Sequence, residues 1–410
     1  ELLLQGGGGD GGGGDAGGAG GGSVASPSRL HARAPASPPL SVASLVRMAC
    51  ELLSRPALSR HPTVAASLVE MLQCVLIGES GFAGGSGAGL GVRGSATHEL
   101  LVSSVLSSAE ARTALAPALI RAYTTLDAVE NLDVDRDRFD KFHTRNVISA
   151  TLRELWRIDA CVASVANLAA TTVSTDVSTN TPTNPLFASF ASCALSDLMY
   201  VLSDALYRLR SVAEVFETRR SRRDDKDVGE DARASREDEE TARFAKNQER
   251  TARGYLRYAT ETLALLNLIA GSELTARSFL APTVVGNAAY AVVRFLECLL
   301  NEKADAACSA LGGEKHAKKK VGFDRDALVL AICEFAVKAD GADAADRRAG
   351  ATGAFANALA SESDYDGATM ERARALLVAR TFGPAVVPPR LRDLIDRADA
   401  ARAGAARRDA

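Results

Sequence analysis

In residues 195–216, LSDLMYVLSDALYRLRSVAEVF, the apolar side chains Leu195, Leu198, Met199, Leu202, Ala205, Leu206, Leu209, Val212, Ala213 and Phe216 recur three and four apart. An α-helix turns every 3.6 residues, so this spacing gathers them into one stripe. A strand, which alternates sides at every residue, cannot produce it. Leu256, Ala259, Leu263, Leu266 and Ile269 repeat the pattern downstream, and Val64, Leu68, Met71, Leu72 and Val75 do so upstream. The same period predicts helices over 42–54, 63–77, 97–107, 111–130, 144–157, 279–301, 324–338, 344–360, 367–381 and 391–402. Asp324 is positioned to cap the helix that follows it. No stretch alternates apolar and polar residues for the length of a strand. The fold class is all-α, an irregular armadillo/HEAT-like helical array (α-solenoid), although no fixed repeat period is visible.

Composition punctuates this array. Residues 1–40 are Gly- and Pro-rich, with too little apolar surface to offset the entropy of ordering, and read as a disordered linker. Gly6 to Gly22 lacks the Lys-Ser/Thr pair and preceding strand of a phosphate loop. The helical core is expected over 41–397, with inserts near 79–97, 171–185, 219–250 and 303–320, and a disordered tail over 398–410. The charged run 219–253 reads as a solvated helix or loop.

The chain has 410 residues, 47% of them hydrophobic and 24% charged, with a net charge of -3. That balance offers no global field for nucleic acid or an anionic membrane. The basic cluster Lys315, His316, Lys318, Lys319 and Lys320 reads as a solvated loop rather than a nuclear address or nucleic-acid patch. No window of about 18 residues is both charge-free and strongly apolar, so no membrane span is expected. The chain opens on Glu1 and reads as a fragment.

Candidate chemistry is sparse. The seven cysteines Cys50, Cys74, Cys161, Cys193, Cys298, Cys308 and Cys333 form no Cys-x-x-Cys pair and read as reduced core residues of an intracellular protein. Cys193 is expected in the core, and His143 on a helix face or at a cap. Asp133, Asp135, Asp137 and Asp140 alternate like a calcium loop. Arg138 stands where that loop needs glycine, and Thr144 where it needs glutamate. The aspartates fit an acidic first turn before the helix at 144–157. Trp156 is expected in the core, with a peptide-docking pocket as the lesser reading. The residues show no catalytic pair, no metal site and no cofactor site.

One string is more specific. Arg138-Phe139-Asp140-Lys141-Phe142-His143-Thr144-Arg145, continuing through Ile148-Ser149 to Leu155-Trp156, resembles the core of the U-box ubiquitin chain-elongation factors. In that family a Tyr/Phe-Asp-Lys-Phe…Arg…Ile-Ser…Leu-Trp pattern opens a core helix. Further matches follow in order. They are Ser67-Leu68-Val69-Glu70-Met71-Leu72 after His61-Pro62, Leu115 to Tyr123, and Leu195-Ser196-Asp197 with Leu202-Ser203-Asp204-Ala205-Leu206. Glu249-Arg250, then Tyr255-Leu256 with Ala259-Thr260-Glu261-Thr262, and the turn Gly322-Phe323-Asp324 complete them. The U-box signature, Asp-Pro-Leu/Ile…Asp-Pro-Val, does not occur in residues 381–410.

The resemblance implies a factor that lengthens ubiquitin chains on proteins already carrying one, for proteasomal degradation. The U-box would recruit the ubiquitin-conjugating enzyme while the helical core holds partners, so that the rate gain is positional. Implied partners are that enzyme, ubiquitylated substrates, an AAA-type unfoldase and ubiquitin-like shuttle proteins, with no nucleic acid or membrane. A monomer in cytoplasm and nucleus is implied. These 410 residues alone are expected to be inactive in transfer. The motif positions Asp140, Lys141, Phe142, Arg145, Ser149, Trp156, Asp197, Asp204, Ala259 and Glu261 are expected to be structural. Asp140, Lys141 and Arg145 would form spaced ion pairs along one helix. A helical interaction scaffold with no ubiquitin role is the alternative.

Overall fold

A computed structural model describes residues 42–55, 61–78, 96–126, 140–170, 184–224, 232–310, 313–342, 353–380 and 384–409. The expected linker 1–40, most of the inserts at 79–97 and 171–185, Asp133 to Asp137, and residues 343–352 lie outside these. Every regular element among the described residues is helical.

The chain begins with α1 (Val42–Ser54), α2 (Pro62–Ile77), α3 (Ala96–Ser107) and α4 (Ala109–Thr125). Proline at the first position of α2 is well placed, because its missing N–H would have no helical partner there. Ser108 caps α4 by accepting from the Ala111 N–H. Then come α5 (Lys141–Leu155) and α6 (Asp159–Ala170), packed against α2 and α4 respectively.

Two long helices, α7 (Pro185–Asp224) and α8 (Ala232–Ala270), form the spine and pack along one another. At 1.5 Å per residue each spans roughly 60 Å. The apolar stripe of 195–216 is buried apart from the partly buried Met199 and Phe216, and Ala252, Leu256, Ala259, Leu263 and Leu266 of α8 are buried with it. The charged run 219–253 is thus helix wherever it is described. Its solvated face is charged, while Ala245 and Ala252 keep contact with the core.

A short α9 (Glu273–Ala276) and a 3-10 turn (Arg277–Leu280) lead to α10 (Pro282–Leu300). The single helix expected over 279–301 is divided because Pro282 cannot continue a helix but can start one. Phe279 in the turn meets Phe335 edge-on at 5.0 Å. Next are α11 (Glu302–Ala310), α12 (Glu314–Val321) and α13 (Arg325–Gly341). Residues 303–320 are therefore mostly helix and not a loop. Ala304, Cys308, Ala317 and Val321 supply buried contacts at helical spacing, and Arg325 pairs with both Asp305 and Glu314. Gly322, with φ of 75°, ends α12; its N–H donates to the Lys318 carbonyl and the Phe323 N–H to that of Ala317. Asp324 caps α13 by accepting from the Ala327 N–H at 3.2 Å.

The last three helices are α14 (Ala354–Ser361), α15 (Gly367–Ala379) and α16 (Val387–Asp409). The expected tail over 398–410 is helix as far as Asp409. Its Ala- and Arg-rich composition favours helix, Ala398 is buried, and Arg402 donates to the carbonyls of Glu362 and Tyr365. Two bonds from Arg397 to Asp340, at 2.9 and 2.6 Å, tie α16 to α13, and Tyr365 donates to Asp399 at 2.8 Å.

Two helical segments, Pro185–Thr218 and Pro282–Leu300, are long and apolar enough to cross a membrane, contrary to expectation. Their most apolar windows are 56% and 50% buried against the rest of the chain, as core helices are. Cys50, Cys161, Cys308 and Cys333 are buried as expected, whereas Cys74, Cys193 and Cys298 are half-buried, and all seven are free thiols. Burial pushes the Cys50 thiol up to about 11 and that of Cys333 to about 12.

Candidate functional site

Several of the family-like segments, those on α4, α5, α7 and α8, meet at one buried polar cluster. Arg145 on α5 is 1% exposed, and its Nη1 donates to Asp197 Oδ1 on α7 at 2.8 Å. Its Nε and Nη2 donate to the Tyr123 carbonyl at the end of α4, at 3.3 and 3.1 Å. The guanidinium carbon lies 4.8 Å from the centre of the Tyr123 ring. The other Asp197 oxygen accepts from the hydroxyls of Tyr123, at 2.7 Å, and of Tyr258 on α8, at 2.9 Å. Four helices, α4, α5, α7 and α8, thus each place one side chain in the cluster. Burial, reinforced by Tyr258 and Asp197, holds the Tyr123 phenol well above its usual range. Burial and Asp197 do the same for Tyr258. Both phenols therefore remain neutral donors. The cluster has no open face for a substrate, and its chemistry is that of a lock.

The other motif residues surround it. Asp140 caps α5, accepting from the N–H groups of Phe142 and His143 at 2.9 and 3.1 Å. The ion pairs expected along α5 are not formed as drawn, because Arg145 turns inward to Asp197 while Asp140 is used by the backbone. Lys141 places its Nζ 5.3 Å from the Phe142 ring. Phe142 is half-buried and stacks in parallel on Tyr200 of α7 at 4.9 Å, with Tyr255 and Tyr258 further round it. Ser149 is fully buried and its Oγ has no partner among the described residues. Asp204 pairs with Arg208 at 2.5 Å, and Arg208 also donates to Gln248 and lies over Tyr255. Ala259 sits at the α7–α8 seam, and Glu261 meets Arg153 at 3.2 Å.

Trp156 follows α5 and packs on the core but is only half-buried. It does not line the nearby groove of about 320 Å³, which Leu76, Val102, Leu106, Leu155 and Ile158 form beneath Glu99, Glu154 and Arg157. His143 is exposed, with Nε2 3.6 Å from Glu70. Among the described residues no three His, Cys, Asp or Glu side chains are grouped to hold a metal. Sequence reasoning missed Tyr123 and Tyr258. Tyr123 ends a family-like string and Tyr258 sits between two others, so their positions were signalled but their roles were not.

Among the described residues, the helices form an array joined across α4, α5, α7 and α8 by this buried cluster. The chain belongs to the ubiquitin elongating factor core family, whose sequence model matches residues 27–399. No curated protein matches the chain. The family identifies a scaffold of ubiquitin chain elongation, a function related to ubiquitin ligases and to the handling of ubiquitin and ubiquitylated proteins.

Proposed function

We propose that these residues form the partner-holding core of a ubiquitin chain-elongating ligase that extends chains on pre-ubiquitylated proteins destined for the proteasome. The family match across 27–399 carries this reading. The core contributes by position: it holds the substrate-borne chain within reach of a charged conjugating enzyme, raising effective concentration without covalent chemistry of its own. A stiff helical array suits that task, since its surface is broad and its spacing fixed. A U-box supplies the conjugating enzyme in this scheme, an AAA-type unfoldase and ubiquitin-like shuttle proteins deliver and remove substrates, and the setting is cytoplasm and nucleus.

The test is reconstitution with activating enzyme, conjugating enzyme, ubiquitin, ATP and a substrate carrying one ubiquitin. The chain alone is expected to leave the substrate unextended. Added in excess to a reaction driven by a complete factor of the same family, it is expected to slow elongation by sequestering partners. Elongation by the chain alone would overturn its role as a core without transfer activity, and an unaffected driven reaction would overturn the scaffold reading.

A further inference from the structure

On α8 the cations Arg243, Lys246, Arg250, Arg253 and Arg257 are spaced three, four, three and four apart. At 100° per residue they fall within about 80° of arc and run for about 21 Å along the helix. All five are exposed, on the side turned away from Ala245, Ala252, Leu256 and Ala259 in the core. The side chains of Lys246 and Arg250, at the middle of the row, carry no hydrogen bond or ion pair among the described residues. Like charges at these spacings repel and weaken the helix that bears them.

The flanks keep the row positive. Glu249, on the edge toward α12, is occupied by Lys320 at 2.5 Å, and Arg253 donates to the Lys320 carbonyl. This seats α12 beside the row, and α12 carries Lys315 and Lys319, both exposed. The ends are acidic: Glu239 lies 3.8 Å from Arg243, and Glu261 beyond Arg257 is paired with Arg153.

We propose that the outward face of α8 docks an acidic helical segment of a partner protein, one with Glu or Asp at three- and four-residue spacing. Such a helix matches the row charge for charge over the same length. The acidic ends argue for a peptide over a nucleic acid, because a phosphate backbone continues its charge past both glutamates whereas an acidic run can stop. Of the aromatic side chains of α8, Tyr258 is buried, Tyr255 lies under Arg208 of α7, and Phe244 stands about 140° round the helix from the row, so this face offers no base-stacking platform. The chain's net charge of -3 supplies no wider attraction for a polyanion.

Fluorescence anisotropy of a labelled helical peptide with Glu at that spacing, titrated with the whole chain, tests the proposal. Saturable binding that weakens with salt is expected. Lys246→Glu with Arg250→Glu is expected to lose about tenfold or more in affinity, with a smaller loss for the Gln pair. Circular dichroism is expected to be unchanged, as neither side chain packs. Arg390→Glu with Arg407→Glu on α16, which changes net charge equally, is expected to bind as the parent does. Equal weakening by the α16 pair, absence of peptide binding, or tighter binding of a single-stranded RNA of the same charge would overturn the proposal.

Discussion

Arg145 and Asp197 stand 52 residues apart in the chain and 2.8 Å apart in the fold. A buried ion pair is stabilising only relative to a broken one, because desolvation consumes most of its Coulomb energy. Arg145→Ala leaves the Asp197 carboxylate buried with two phenols as its donors and is expected to cost about 3–5 kcal/mol, read as a lowered urea midpoint. Periodicity placed both residues on helices, and the family-like strings marked both. Neither reveals that they meet, because helical spacing speaks only within an element. The same silence led Arg145 to be assigned to Asp140 next door. The phenols make a second, pH-dependent expectation. Tyr123 and Tyr258 are raised in the folded state from an ordinary value of 10.0. The unfolded chain therefore loses these protons first as pH rises. The stability they contribute is whole below about pH 10 and declines above it. Denaturation midpoints followed upward from pH 9 or so are expected to fall, and to fall less steeply in Tyr258→Phe.

At the scale of elements, the apolar stripes of α7 and α8 were legible because each repeats over several turns. Boundaries were less so: Asp324 was recognisable as a cap, but the break at Pro282 and the helices within 303–320 were not. There the order comes from Arg325 joining Asp305 and Glu314 across three elements, which composition does not show. Trp156 belongs to this scale. As the residue following α5 it closes the helix, packed on the core but only partly buried. Trp156→Ala is expected to cost about 1–3 kcal/mol, below the ~3–5 kcal/mol of a fully enclosed ring, measured by chemical denaturation. A loss in the higher range would mean that the ring is enclosed.

Across the whole molecule the division of labour is plain. The interior carries the polar lock and the apolar seam, and the surface carries charge arranged in rows. The family was legible from short strings in shared order, and three of those strings supply Tyr123, Arg145 and Asp197 to the lock, with Tyr258 between two matched pieces of a fourth. The row on α8 was not, because five cations among many in a charged run become one face only when the run is wound into a helix. The anchoring of α16 has a mechanical result. Arg397, Asp399 and Arg402 pin its middle at three points to α13, to Tyr365 and to the carbonyls ahead of α15. These three anchors keep the middle of α16 in register with α13 and with the turn before α15, so the helix cannot slide along its axis without breaking all of them at once.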